Sequence, residues 1–280
     1  LYKVVGLGEM GCAIAEEFTA YPEYRVYKID SDTDERASLS IGKNSGMEEY
    51  EKNLPKDEVE IYLRSIKDGD EVLFIIEGGD PISGASLAIL ESIRGAKVSV
   101  LYLVPDRDLC SLVQKRDDRI SFYVLQEYAR SGLFSSFNVI ANYNYENILG
   151  SIPIKNYWDN INNTIASSIH MINVFKFSRP ILGKVHDSHE ISRIRTFGIV
   201  GVEDFQEKLF FQLDNVREKR YYIGINENTL ENDEKLYSKI LDNISDKSEN
   251  GEIDVSYAIY STKYDHDLVY CEYSTHFTQI

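Results

Sequence analysis

Three glycines with fixed spacing stand near the start of the chain: Gly6-Leu7-Gly8-Glu9-Met10-Gly11, between the apolar run Tyr2–Val5 and a helix-like stretch from Cys12 to Ala20. A glycine turn between a strand and a helix lets backbone N–H groups approach a phosphate at the helix N-terminus. Asp30 closes the next strand-like run, Tyr24–Ile29, where an acid can meet a ribose hydroxyl. A second glycine-rich turn, Gly78-Gly79-Asp80-Pro81-Ile82-Ser83-Gly84, follows the apolar run Val72–Ile76 and precedes a helical run from Ala85 to Ile93. A dinucleotide domain needs one such turn; a nucleoside triphosphate is cradled by more than one. The competing bland reading of the first turn is close helix–strand packing with no ligand.

The elements around these turns alternate. Lys97–Val104 reads as a strand, Ser121–Gly132 as a helix and Phe137–Ala141 as a strand. Continuous apolar strands alternating with helices predict a parallel, doubly wound, Rossmann-like sheet. Pro153 opens a helical stretch running to about Phe177, with Ile161, Ile165, Ile169, Ile172 and Phe175 at three- and four-residue steps. Beyond Ser178-Arg179-Pro180 the texture changes. Thr196–Val202 and Tyr221–Ile225 read as strands, Thr229–Ile244 as an amphipathic helix, and Glu252–Tyr260 and Leu268–Tyr273 as alternating antiparallel strands. The expected organisation is a nucleotide-binding domain over 1–152, a long connecting helix over 153–178 and a smaller α/β domain over 179–280. The segment 40–51, with Gly42, Asn44, Ser45 and Gly46, is expected to be a surface loop.

Composition narrows the partners. The 280 residues are 43% hydrophobic and 27% charged, which is ordinary globular usage. Thirty Lys and Arg against forty-six Asp and Glu leave a net charge of −16, which argues against a broad grip on nucleic acid or on an anionic membrane. No apolar run reaches the roughly 18 residues of a spanning helix. Cys12, Cys110 and Cys271 are far apart and form no CxxC pair, and no signal peptide is recognisable, so the expected compartment is a reducing cytoplasm. The first residue is Leu1 rather than Met, as expected of a trimmed chain.

Taken in order, the glycine turn at 6–12, Asp30-x-Asp32, the turn at 78–84, Asn142 after a strand and then one long helix resemble the tubulin/FtsZ superfamily over about residues 1–200. The resemblance implies that Gly8, Glu9, Met10, Gly11 and Cys12 hold nucleotide phosphates. The family's second loop reads GGGTG[ST]G; Gly78, Gly79, Ser83 and Gly84 agree with it, while Asp80 adds a negative charge and Pro81 removes an N–H donor. Trp158-x-x-x-Asn162 resembles the pair with which the family stacks on and reads a guanine, and a four-residue step puts both on one helix face. Asn142 would supply a second base-edge amide. The plain alternatives are a core aromatic for Trp158 and a solvent-facing helix residue for Asn162.

The family completes GTP hydrolysis with an acidic loop of the next subunit, and Asp187-x-x-Glu190 within His186–Arg193 reproduces its acid spacing. A register three residues later, favoured by Arg195-Thr196, pairs Glu190 with Arg193 and lacks the catalytic acid. His186 and His189 invite a metal reading, outweighed by that of a solvated polar loop. The resemblance thus implies GTP or GDP as ligand, with Mg2+ a further candidate, and a head-to-tail homopolymer as partner, because heterologous contacts do not close. Two other readings stay open. One is an NAD(P)-dependent oxidoreductase using Gly6–Gly11 and Asp30, for which His170 is the one tempting catalytic residue. The other is a degenerate, non-hydrolysing structural protein on the same scaffold.

Overall fold

The computed structural model describes residues 1–32, 38–141, 143, 145–151 and 153–280. Contacts divide the chain into two compact units, the first comprising 1–145, 151–166 and 280, the second 146–150 and 167–279.

The first unit is built on β1 (Tyr2–Leu7), β2 (Tyr24–Asp30), β3 (Leu39–Ser40), β4 (Glu71–Glu77), β5 (Lys97–Val104) and β6 (Ser136–Ala141). Their order is β3-β2-β1-β4-β5-β6 and every pair is parallel. Strands of such a sheet are covered on both faces, which is why Val72–Ile76 reads as an unbroken apolar run and is buried throughout. Helices α1 (Gly8–Glu17), α2 (Met47–Lys52), α3 (Lys56–Leu63), α4 (Ser86–Glu91) and α5 (Leu112–Arg130) make the connections. This is the doubly wound α/β architecture expected.

Several boundaries move. The first helix starts at Gly8, four residues before the expected Cys12, and ends in a 3₁₀ turn over Phe18–Ala20. Its first turn contains two glycines, poor helix formers held there by packing on the sheet. The 40–51 segment is not all loop: Gly46 caps α2, whose first turn carries Glu48 and Glu49 where they complement the helix dipole. Helix α5 begins nine residues before the expected Ser121. Ser111 and Gln114 form a capping box there, while Leu112 and Val113 face solvent and blur the apolar period.

The long helix α7 (Tyr157–Phe177) follows a short α6 (Glu146–Leu149) and a 3₁₀ turn over Ile154–Asn156. Ile161, Ile165, Ile172 and Phe175 are buried along it, as the spacing predicts.

The second unit contains β7 (Leu182–Lys184), β8 (Ile194–Val200), β9 (Glu207–Leu209), β10 (Glu218–Asn226), β11 (Asp254–Thr262) and β12 (Leu268–Thr275), with α8 (Glu227–Asn232) and α9 (Leu236–Ser245). The order is β8-β12-β10-β11-β7, with β9 on β8. The expected antiparallel pairing of the last two strands is not what forms. Strand β10 lies between them, parallel to β11 and antiparallel to β12. A helical crossover returns β11 alongside β10, as a parallel connection requires. The single helix expected over 229–244 is two, broken at Asp233, which is extended and whose carboxylate accepts the Lys235 N–H at 3.0 Å.

Candidate site at the strand-order reversal

In the first sheet the chain moves outward one way from β1 through β2 and the other way from β4 through β5, so the strand order reverses between β1 and β4. Ligands of open α/β sheets bind outside the carboxyl ends of strands at this place. Leu7 and Ile76 are partners in the β1–β4 register, so the two glycine turns leave the sheet side by side.

The three glycines after β1 have different tasks. A Cβ on Gly6 would overlap the Gly11 carbonyl, and one on Gly11 would stand 2.7 Å from the Ile75 carbonyl oxygen, so these two bring α1 down onto the sheet. Gly8 has φ +75°, the left-handed region, and starts the helix; Leu7 at the N-cap supplies no side-chain acceptor. Gly8 is buried, Met10 half-buried and Glu9 exposed. Cys12 is buried, and its thiol donates toward the carbonyls of Gly6 at 3.5 Å and Ile29 at 3.4 Å, so its side chain is committed to the core.

Opposite Gly8 lies the second turn. A Cβ on Gly8 would be 2.9 Å from Ile82 Cγ2 and 3.6 Å from Asp80 Oδ2. Asp80 caps the 3₁₀ turn Pro81–Ala85, its Oδ1 accepting the Ile82 N–H at 3.0 Å and its carbonyl the Ser83 N–H at 3.0 Å. Burial pushes the Asp80 carboxyl above the usual carboxylate range against the pull of that N–H, and the charges of Asp30 and Glu9 raise it further. Asp30, at the end of β2, accepts the Ser31 N–H at 2.6 Å.

The remaining residues of the turn serve packing. Gly78 leaves room for the Tyr102 hydroxyl, which donates to Asp118 Oδ1 at 2.8 Å; Arg107 completes that cluster, its Nη2 2.9 Å from Asp118 Oδ2. Gly79, at φ +78°, passes the Gln114 carbonyl. The Ser83 hydroxyl is buried against that of Ser121 at 2.9 Å. Gly84 faces the Met47 backbone of α2, where a Cβ would overlap it. The structure therefore brings Gly8, Asp80 and Ile82 together and turns Ser83 and Gly84 inward. The Tyr102–Arg107–Asp118 cluster carried no readable sequence signal, because its members come from three segments and Asp118 sits on a helix that otherwise reads as amphipathic.

On α7, Trp158 keeps 46% of its surface exposed, its ring edge-on to Tyr157 at 5.3 Å, so it is not a core aromatic. Asn162 is not solvent-facing: it is 5% exposed, and among the described residues its Oδ1 has no hydrogen-bond partner. Burial raises the Glu17 carboxyl, and the charge of Asp159 in the first turn of α7 adds to the effect. Asn142 lies outside the described residues. His170 is half-buried on the part of α7 that belongs to the second unit.

In the second unit, Asp187 and Glu190 are both exposed on the coil before β8. That coil is fixed by its backbone: the His186 N–H donates to Ser256 Oγ at 3.2 Å and the His189 N–H to Glu218 Oε1 at 3.1 Å. Among the described residues no group of three or more His, Cys, Asp or Glu side chains is placed to hold a metal ion. No helix among them is long and apolar enough to cross a membrane.

No protein-family model matches the chain, and no curated protein matches its sequence. Solved structures do match its fold. A GDP-form protofilament of TubZ from Bacillus thuringiensis serovar israelensis superposes with a TM-score of 0.74 at 14% identity, covering 99% of this chain and 88% of that one. The GDP-bound monomer of CetZ1 from Haloferax volcanii gives 0.69 at 14% identity, covering 100% and 96%. An FtsZ dimer from M. jannaschii gives 0.68 at 12% identity, covering 98% and 87%. The chain has the fold of the tubulin/FtsZ superfamily.

Proposed function

We propose that this protein is a tubulin/FtsZ-like guanine-nucleotide-binding protein that assembles head to tail with copies of itself. The observation that carries the nucleotide part is Asn162: a buried side-chain acceptor without a partner among the described residues is costly unless a ligand supplies the donor. Guanine offers N1–H and N2–H donors on one edge, which suit that Oδ1, and Trp158, one helical turn earlier and half-exposed, has the surface on which a base can stack. At the start of α1 the uncapped first-turn amides, with Gly8 baring the backbone, suit the phosphates of a nucleotide despite the net charge of −16.

Assembly is supported by the fold shared with a TubZ protofilament and an FtsZ dimer. Asp187 and Glu190, exposed on a coil of the second unit, are the residues with which one copy would act on the nucleotide of the next. The second glycine turn beside the first, which a dinucleotide site does not need, favours this reading over an NAD(P) oxidoreductase.

The test is the nucleotide carried through purification, released by denaturation and identified by chromatography and absorbance, followed by sedimentation of the protein over a concentration series. Guanine nucleotide in near-stoichiometric amount and a concentration-dependent pellet are expected. A nicotinamide dinucleotide in its place would overturn the reading.

A further inference from the structure

Two surfaces of the chain combine exposed apolar groups with opposite charge. On the first unit, a groove of about 710 Å³ runs between α2, α4 and α5. Met47, Leu87, Ile120 and Val124 give it an apolar lining, and Ile120 is 47% exposed. Among them stand the carboxylates of Glu48, Glu49, Glu51 and Asp117 and a single cation, Arg116. Arg116 is paired with Asp117 at 2.7 Å, and Glu49 accepts the Ser45 N–H at 2.9 Å. Glu48 and Glu51 are exposed and have no ion-pair partner among the described residues. On the second unit, the segment 177–184 is the reverse. Phe177 is 79% exposed, Ile181 50% and Leu182 47%. Arg179 and Lys184 are exposed cations, also without an ion-pair partner among the described residues. Leu182–Lys184 is β7, the edge strand of that part of the sheet. An edge strand that shows apolar side chains to water is a ready place for association.

We propose that the segment 177–184 of one copy docks in the groove between α2, α4 and α5 of the next. Phe177, Ile181 and Leu182 then cover the apolar lining, while Arg179 and Lys184 meet Glu48 and Glu51. A second copy is the occupant because of the charge balance. Copies that each carry −16 repel one another unless the scarce cations of one face carboxylates of the other. This segment and this groove supply both halves of that match. The inference rests on the head-to-tail reading above and gives it a contact. Lys184 stands three residues before Asp187, a reach of at most about 10 Å. Ser83 and Gly84, which end the glycine turn after β4, line the groove. Docking there brings the acid coil of one copy alongside that turn of the next.

Sedimentation of the full chain over a concentration series, with GTP and with GDP, tests it. Arg179→Glu with Lys184→Glu, and separately Glu48→Lys with Glu51→Lys, set like charges across the contact. Each pair is expected to raise the concentration needed for a pellet about tenfold or more. All four changes together restore opposite charges and are expected to return it to within about threefold of the parent. The four residues are exposed, so every variant should melt like the parent. Paired variants that pellet like the parent, or a fourfold variant no better than either pair, would overturn the inference and leave head-to-tail assembly standing. A parent that pellets at no concentration with either nucleotide would overturn both. A second readout does not depend on charge. A mixture of Leu182→Cys and Ile120→Cys copies, treated with a short bismaleimide where it pellets, is expected to give more covalent dimer than either copy alone. No such excess would also overturn the inference.

Discussion

A Cβ on Gly8 would stand 2.9 Å from Cγ2 of Ile82, so the turns after β1 and β4 face each other where the strand order reverses. The neighbouring glycine is constrained differently, and the two should respond differently to alanine. At Gly8 the cost is the left-handed backbone, about 1–2 kcal/mol, because the end of the Ile82 side chain can rotate aside. At Gly11 the new methyl meets the Ile75 carbonyl oxygen at 2.7 Å, and strand backbone cannot yield; about 3 kcal/mol is expected. Urea unfolding of Gly8→Ala and Gly11→Ala measures both. A Gly11→Ala protein as stable as the parent would mean that α1 does not pack on β4 as described.

Asn162 makes a prediction that pulls stability and binding apart. Replacing it with Leu removes a buried acceptor lacking a partner, so the ligand-free protein should be stabilised by about 1 kcal/mol while guanine-nucleotide affinity is lost. Trp158→Ala should leave unfolding nearly unchanged, since the indole is half-exposed, and weaken nucleotide binding by about 1–3 kcal/mol through lost stacking. Calorimetric binding beside thermal melts reads both variants. An Asn162→Leu protein that binds nucleotide normally would remove the amide from the site.

The sequence and the structure agree best where burial dictates residue type. Strand β5 is bounded by the same residues in both, and the β1–β4 core follows from continuous apolar runs that only a sheet covered on both faces accommodates. They diverge where tertiary contact overrides local pattern. The two glycines of Gly8-Glu9-Met10-Gly11 disfavour a helix until Ile75 and Gly6 are packed beneath it. The parallel pairing of β10 with β11 depends on a crossover whose two helices read as one. At the strand-order reversal, the two glycine turns were legible from spacing. The commitment of Ser83 to Ser121 and of Gly84 to Met47 was not, because both partners are distant in sequence.

Asp187 and Glu190 test whether a neighbouring copy contributes chemistry. Both are exposed on coil, so alanine at either should change stability by less than about 0.5 kcal/mol. GTP turnover of the parent is expected to rise with protein concentration and to fall about a hundredfold in the double variant. Phosphate release followed against protein concentration checks this. Turnover that does not depend on concentration, or that is equal in the parent and the double variant, would remove Asp187 and Glu190 from the chemistry.

Glu272 on β12 governs the acid stability of the second unit. Burial opposes its charge, but Lys176, Arg220 and Arg195 attract it and the Tyr222 hydroxyl donates to it at 2.6 Å, which together hold the carboxyl down to about 2. Lys176 Nζ is 2.9 Å from Oε1, and Arg220 is the cross-strand partner in register. A carboxyl depressed from 4.5 in the unfolded chain to about 2 in the folded one contributes stability that is fully present above pH 4.5. That contribution disappears as pH falls through about 2, because protons then bind both states equally; its size is on the order of 3 kcal/mol. Glu272→Gln leaves three cations facing a neutral amide in a buried setting and should cost about 3–5 kcal/mol at neutral pH. The variant's stability should then fall less steeply than the parent's between pH 4.5 and 2. Urea midpoints across that range measure the slope, and parallel curves for parent and variant would show that Glu272 is not ionised in the folded protein.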